Sequence, residues 1–235
     1  MPGALQSLKR HLPALPRKGI AAAGFTARKY LLGYRVPDAP HFDEQGDRWF
    51  REVLSRTSCY LEYGAGASTV LAWQAADVVV AVESDARMLT AVRRALSGVS
   101  RQPRLSQLIE VDTGITREWG TPLFTRPTPA RLARWENYAR APWPFLMRHA
   151  IVPDTILVDG RFRVACALES LRNLDVASPC LLLIDDFGDR PHYGAVEEFA
   201  DLVSMHGRMA VFRKKVAFDD DRCRQRLQTF NRDWR

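Results

Sequence analysis

From residue 58 onward, apolar and polar positions follow two alternating rhythms. Short runs of β-branched and apolar residues are separated by stretches whose apolar residues recur three and four apart. Ser58–Tyr63 (SCYLEY) predicts a strand that ends in Gly-Ala-Gly, and Ser68–Ala76 has helical spacing with Ser68 as its cap. Asp77–Ser84 (DVVVAVES) is the pattern of a strand buried on both faces of a parallel sheet. Asp85–Leu96 predicts an amphipathic helix, with Met88, Leu89, Val92 and Leu96 on one side and Arg87, Arg93 and Arg94 on the other. Leu105–Asp112 reads as a third strand. Residues 114–150 then break the rhythm with Trp119, Trp135, Trp143 and five prolines, predicting an insertion packed over one edge of the sheet. The alternation resumes with strand Thr155–Asp159, helix Val164–Leu174, strand Cys180–Ile184, helix Val196–Val203 and strand Met209–Arg213. Such β-α repeats predict an α/β fold, a doubly wound and mainly parallel sheet with right-handed crossovers.

Composition narrows the class. With 235 residues, 46% hydrophobic, 26% charged and a mean hydropathy of −0.23, the chain is globular, which excludes a disulfide miniprotein, a disordered chain and a collagen-like repeat. The formal charge of +7 suggests nucleic acid until its distribution is counted. Residues 1–40 carry seven Lys/Arg against one acid, and 211–235 carry eight against four, which leaves nineteen against twenty-two in 41–210. The body is net acidic.

Pro37 and Pro40 predict a boundary between a basic N-terminal extension, 1–40, and a main domain, 41–235. The extension suits contact with a membrane surface or an acidic partner, or a merely solvated arm. Its longest uncharged stretch, Gly19–Ala27, is too short to cross a bilayer. Cys59, Cys166, Cys180 and Cys223 lack metal-ligand or disulfide spacing and fit a reducing, cytoplasmic setting.

The most specific feature is Glu62-Tyr63-Gly64-Ala65-Gly66-Ala67-Ser68-Thr69. Glycines directly after a strand allow a sharp turn and a close ligand, while the next helix presents free N–H groups. Glu83, 21 residues after Glu62 at the end of the second strand, can accept hydrogen bonds from both hydroxyls of a ribose. A dinucleotide fingerprint would have glycine where Thr69 stands, and no P-loop lysine is present. A carboxylate at Glu62 would repel a pyrophosphate.

This E-x-G-x-G-x-S pattern resembles motif I of the class I S-adenosylmethionine (SAM) dependent methyltransferases. The resemblance covers roughly residues 45–215 and implies that family's Rossmann-like sheet, with SAM as cofactor. Within the family it is closest to the small-molecule O-methyltransferase-like group of catechol, macrocin and related sugar methyltransferases. It implies cofactor contacts from Glu62, Gly64, Ala65, Gly66, Ser68, Thr69, Glu83 and Ser84, and an adenine contact from Asp112 at the end of the third strand. Val158-Asp159-Gly160-Arg161 is similar to the group's D-G-x-H, and Asp185-Asp186-Phe187 to its D-D-[FY]; the histidine of the first motif is missing, with Arg161, Phe162 and Arg163 following Gly160.

Asp159, Asp185 and Asp186 end two strands expected to be neighbours. In metal-dependent members that resemble this chain, acids at these positions hold Mg²⁺, which would bind two acceptor oxygens and lower a hydroxyl pKa. The other reading has Asp159 position the SAM amino group or a substrate hydroxyl, with Asp185 and Asp186 capping a helix or pairing with Arg161, Arg163 or Arg190. Asp159, His192 and Arg161 are the candidate catalytic residues. His192 titrates near neutrality as a base, and Arg161 or Arg163 could clamp a carboxylate or phosphate, or pair with the acids just named. Trp119 could stack on adenine, while Trp135, Tyr138 and Trp143 divide between pocket wall and core.

The leading expectation is therefore methyl transfer from SAM to an oxygen of a small polar acceptor, sugar- or phenol-like, by a chain that could form a homodimer. A catalytically inactive SAM-binding protein acting through interactions is the alternative. A nucleic-acid methyltransferase is third, because no [DN]-P-P-[FY] motif follows the fourth strand.

Overall fold

The computed structural model describes residues 33–235; the expected basic extension, 1–40, lies mostly outside the described residues. Among those residues the elements run α1 (Glu44–Leu54), β1 (Cys59–Tyr63), α2 (Ala67–Ala75), β2 (Val78–Glu83), α3 (Ala86–Ser97) and β3 (Leu105–Glu110). They continue with α4 (Pro129–Arg140), α5 (Trp143–Arg148), β4 (Thr155–Val158), α6 (Arg163–Asn173), β5 (Leu181–Ile184), β6 (Ala200–His206), β7 (Met209–Lys214) and α7 (Asp220–Phe230). Short 3₁₀ turns lie at Glu118–Gly120, Phe187–Asp189 and Pro191–Glu198.

One seven-stranded sheet has the order β3-β2-β1-β4-β5-β7-β6. Pairings from β3 through β5 are parallel, while β7 runs antiparallel to both β5 and β6, so the sheet is mixed rather than wholly parallel. The order reverses between β1 and β4. At such a switch point the connections leave in opposite directions and open a crevice outside the carboxyl ends of the strands.

The two-residue period of the strands divides the core cleanly. Leu61, Tyr63, Val80, Val82, Ile156, Val158, Leu182 and Ile184 face the layer that contains α4, α5, α6 and α7. Tyr60, Val79, Ala81, Leu157 and Leu183 face the layer of α1, α2 and α3. By the same alternation Glu62 and Glu83 fall on the second face, at its carboxyl edge.

Three sequence expectations change here. The stretch 114–150 is not packed over an edge: Trp135, Tyr138 and Trp143 are buried in the central core, with Tyr138 and Trp135 against Phe162 and Trp143 Nε1 donating to Tyr63 Oη at 3.1 Å. Large aromatics gain most from full burial, and the surface over β1 and β4 needed covering. Residues 196–203 are a 3₁₀ turn leading into strand β6, because apolar positions at 200, 202, 203 and 205 suit either period and pairing with β7 decides. The C-terminal basic stretch is structured. It supplies β7 and α7, whose Cys223 and Leu227 are buried and whose Arg222 and Arg226 pair with Glu198. Tyr34, Arg35, Pro37 and Pro40, on the expected extension, wall the crevice together with His41. All four cysteines are free and buried, and burial pushes the Cys59 and Cys223 thiols up to about 12.

The tightest packing lies at the switch point. Gly64 has φ +100, and a Cβ there would stand 2.6 Å from both N and Cα of Gly160. Gly64→Ala therefore meets backbone on a strand end that cannot shift, in a conformation L-residues disfavour. Urea unfolding should show a loss of about 2–4 kcal/mol; an unchanged midpoint would refute this packing constraint.

Candidate functional site

The crevice at the switch point is a cleft of about 700 Å³. Its floor is the carboxyl ends of β1, β2, β4 and β5, and its walls come from residues 34–41, the 119–121 turn and the β6–β7 turn.

The β1 end fixes the glycine turn. Glu62 is fully buried and spends both oxygens on the first turn of α2: Oε1 accepts from Ser68 Oγ and Oε2 from Thr69 Oγ1 at 2.6 Å. Thr69 Oγ1 in turn accepts from Gly66 N at 2.9 Å. Burial pushes the Glu62 carboxyl up to about 8, opposed by the two hydroxyls and helped by the Asp159 and Glu83 charges. Glu62 thus shapes the turn from beneath. Gly66 has open space where its Cβ would be, whereas Gly64 is locked on Gly160. Both glycines line the cleft, and Gly66 is the one with open space on its Cβ side.

Glu83 is the second organiser. Its Oε1 accepts from Ser84 N (2.7 Å) and Asp85 N (2.8 Å), and Oε2 accepts from Ala65 N (3.0 Å). Burial raises it to about 7 against those backbone N–H groups. The carboxylate thereby ties the β1 turn to the β2 turn. Oε2 keeps a lone pair for one further donor, and Ser84 Oγ leans on Oε1 at 3.3 Å. Asp85 caps α3 through Arg87 N (3.0 Å) and accepts from Thr116 Oγ1 (3.0 Å) and Tyr34 Oη (3.3 Å).

The other half of the cleft is an ion network. Arg163 has a side chain only 3% exposed, and its Nη2 reaches Asp159 Oδ1 at 3.0 Å and Asp186 Oδ2 at 3.3 Å. Its other donors go to the Gly160 and Asp185 carbonyls. Arg208, delivered by the β6–β7 turn, grips Asp185 with Nε and Nη2 at 3.2 Å and Asp186 Oδ1 at 3.0 Å. Asp43, the N-cap of α1, accepts from Arg208 N at 2.7 Å and so positions that turn. Arg190 reaches Asp186 at 3.4 Å.

Three carboxylates already bound by three guanidinium groups do not suit a divalent cation, which needs their lone pairs and would meet three positive charges. The expectation that Asp159, Asp185 and Asp186 hold Mg²⁺ is accordingly withdrawn. Among the described residues no group of three or more His, Cys, Asp or Glu side chains is placed to hold a metal.

Asp159 keeps Oδ2 outside these pairings. Burial raises its carboxyl to about 6, with Arg163 opposing and Asp185 and Asp186 assisting. Arg161 lines the cleft, and the 118–120 turn bridges it to Ser84: a Cβ on Gly120 would stand 3.6 Å from Arg161 Cγ and 3.3 Å from Ser84 Oγ.

Four expected site residues stand outside the cleft lining, among them Glu62 beneath the turn. His192 packs edge-on against the Tyr193 ring, 4.6 Å between centroids, beside Asp233 and Arg235, and is not among the residues that line the cleft. Asp112 is exposed, pairs with Arg134 at 3.0 Å and accepts from Gly114 N, also outside the cleft lining. Thr69 acts from below the turn. Phe162, at the place of the D-G-x-H histidine, adopts φ +54 and fills the core. Of the aromatics, Tyr138 reaches the cleft and Trp119 stands at its rim, edge-on to His41 at 5.2 Å. Tyr34, His41 and Arg208 escaped the sequence reading, since only tertiary packing brings them to the strand ends, whereas Arg190 is named there as a partner of the strand-ending acids.

Comparison with solved structures places this arrangement. A methyltransferase-like protein from Silicibacter pomeroyi DSS-3 is 28% identical, covers 85% of this chain and 98% of its own, and superposes with a TM-score of 0.72. The chain has a methyltransferase-like fold. SAH-bound methyltransferase PaMTH1 of Podospora anserina (15% identity, 87% of this chain, 98% of that one, TM-score 0.41) is more remote. So is the N-methyltransferase NodS of Bradyrhizobium japonicum WM9 (14%, 73%, 98%, 0.41), and neither decides anything about this chain. No protein-family model and no curated protein matches it. Among the described residues of this methyltransferase-like chain, no helix is long and apolar enough to cross a membrane.

The buried acids carry a pH signature. A carboxyl raised in the folded state binds a proton there that the unfolded chain has released, so it lowers stability as pH climbs from the unfolded value towards the folded one. Relative to the parent, Glu62→Gln should gain stability between about pH 5 and pH 8, the window set by its shift from 4.5 to about 8. Denaturant titrations across that range test it, and a difference independent of pH would count against the buried carboxyl.

Proposed function

We propose that the chain is a SAM-dependent methyltransferase that moves a methyl group to an oxygen of a small polar acceptor. The observation that supports this most is the convergence of Gly66, Glu83 and Asp159 on one cleft at the switch point of a methyltransferase-like fold. SAM, when bound, supplies an electrophilic methyl group on a sulfonium sulfur.

The chain's own residues would do the rest. Open space at Gly66 admits the cofactor beside the turn, and Glu83 Oε2 takes one ribose hydroxyl, its other sites being held by Ala65, Ser84 and Asp85. The two glutamates stiffen the loops before any ligand arrives, so little ordering cost falls on binding. Asp159 Oδ2 accepts the acceptor's hydroxyl proton as that oxygen takes up the methyl group, and Arg163 holds the carboxylate in place through Oδ1. A base near pH 6 is well matched to proton transfer at neutral pH. Tyr138, Trp119 and residues 34–41 surround the reacting atoms and reduce the water beside them.

Calorimetric titration with S-adenosylhomocysteine tests the cofactor half. The parent should bind, and Glu83→Ala should weaken binding about ten-fold or more; no binding by the parent defeats the proposal. For the chemistry, transfer of label from SAM into a small-molecule pool should rise through about pH 6 as Asp159 ionises. Asp159→Asn should lower kcat about 10²–10⁴-fold while SAH affinity holds. A variant as active as the parent would remove Asp159 from the role of base.

A further inference from the structure

The β4–β5 half of the cleft holds four guanidinium groups, Arg161, Arg163, Arg190 and Arg208, against three carboxylates, Asp159, Asp185 and Asp186. Arg163, Arg190 and Arg208 account for the acids at 3.0–3.4 Å, and Arg190 also lies over the Tyr193 ring at 5.6 Å. Among the described residues no carboxylate pairs with Arg161, and its Nε is buried with no hydrogen-bond partner. Unpaired buried donors are rare in native proteins because each forfeits its hydration without compensation. A guanidinium is also a planar fork matched to the two oxygens of a carboxylate or to a phosphate. The arrangement is one anion short.

Resting on the methyltransferase reading above, we propose that Arg161 recognises an anionic group, a carboxylate or phosphate, on the methyl acceptor. The positions favour the acceptor over the cofactor. Arg161 directly follows the strand that bears Asp159, and the charge acting most strongly on it is that of Arg163, on the β4–β5 side. The glycine turn and Glu83 organise the β1–β2 side. An acceptor anion seated on Arg161 therefore brings the rest of that molecule beside Asp159 Oδ2, where its hydroxyl loses the proton. A neutral acceptor would leave the excess positive charge in place. Since Arg163 and Arg190 repel Arg161, an incoming anion gains from all three cations while forming its hydrogen bonds with one.

The test compares matched probes: 3,4-dihydroxybenzoate against catechol, and glucose 6-phosphate against glucose. Affinities are measured by calorimetry on the full chain, with and without saturating S-adenosylhomocysteine. In at least one pair the anionic member should bind about ten-fold or more tightly than its neutral partner. Arg161→Gln should erase that preference, Arg161→Lys should keep part of it, and SAH affinity should stay within about two-fold in both. Thermal unfolding of both variants verifies that they fold, and Arg161→Lys carries the comparison if Arg161→Gln does not. Equal binding within each pair, or no binding of either anion, overturns the proposal. So does a ten-fold loss of SAH affinity in Arg161→Gln with the anion preference intact, which would give the guanidinium to the cofactor's own carboxylate. If SAH fails to bind the parent, the methyltransferase reading falls, and the measurements without SAH still decide whether Arg161 selects anions.

Discussion

Five carboxyl groups, Glu62, Glu83, Asp159, Asp185 and Asp186, meet at the carboxyl edge of one sheet, and the repulsion among them must be met locally. Parallel pairing makes the crowding unavoidable, because β1, β2, β4 and β5 all end on the same side. Two solutions divide the cleft. On the β1–β2 side burial raises the acids to near or above neutrality, and hydroxyl or backbone N–H donors offset part of that cost. On the β4–β5 side they are held by guanidinium groups from three separate places in the chain.

The division gives each half its chemistry. Hydrogen-bonded carboxyls on one side produce a stiff pair of turns around an open glycine, a surface suited to the polar sugar of a nucleoside. The ion network produces a rigid floor that leaves one carboxylate oxygen and one guanidinium available. Buried ion pairs of this kind contribute little net stability, since desolvation offsets most of the attraction. Their use here is positional: Arg163 joins the ends of β4 and β5, and Arg208 ties the β5 end to the β6–β7 turn and, through Asp43, to the start of α1.

The contrast between Gly64 and Gly66 shows how one motif can hold two unrelated constraints. Gly64 is required by the backbone of Gly160, and beyond it the Tyr138 hydroxyl would lie 2.3 Å from a Cβ on Gly160. Gly66 faces open space. Both glycines line the cleft, but Gly64 is also a packing glycine, held against Gly160, which in turn lies beneath Tyr138.

By itself the sequence located strands β1 to β5 and helices α2, α3 and α6, because apolar period and turn residues are local properties, but not α1, α4 or α5. It also located the glycine turn, Glu83 and the strand-ending acids, since a parallel sheet sends every such residue to one edge. Tertiary structure alone decided what those acids do. Whether Asp159, Asp185 and Asp186 face a cation or a guanidinium depends on Arg208, at the far end of a hairpin whose apolar pattern also suits a helix. Whether His192 or Asp159 meets the cleft depends on which way a 3₁₀ turn packs. The tryptophans of 114–150 carry no local sign that they belong to the central core, and residues 34–41 none that they wall the cleft. Local pattern fixes which residues reach the edge, while long-range packing fixes their partners and therefore their charge.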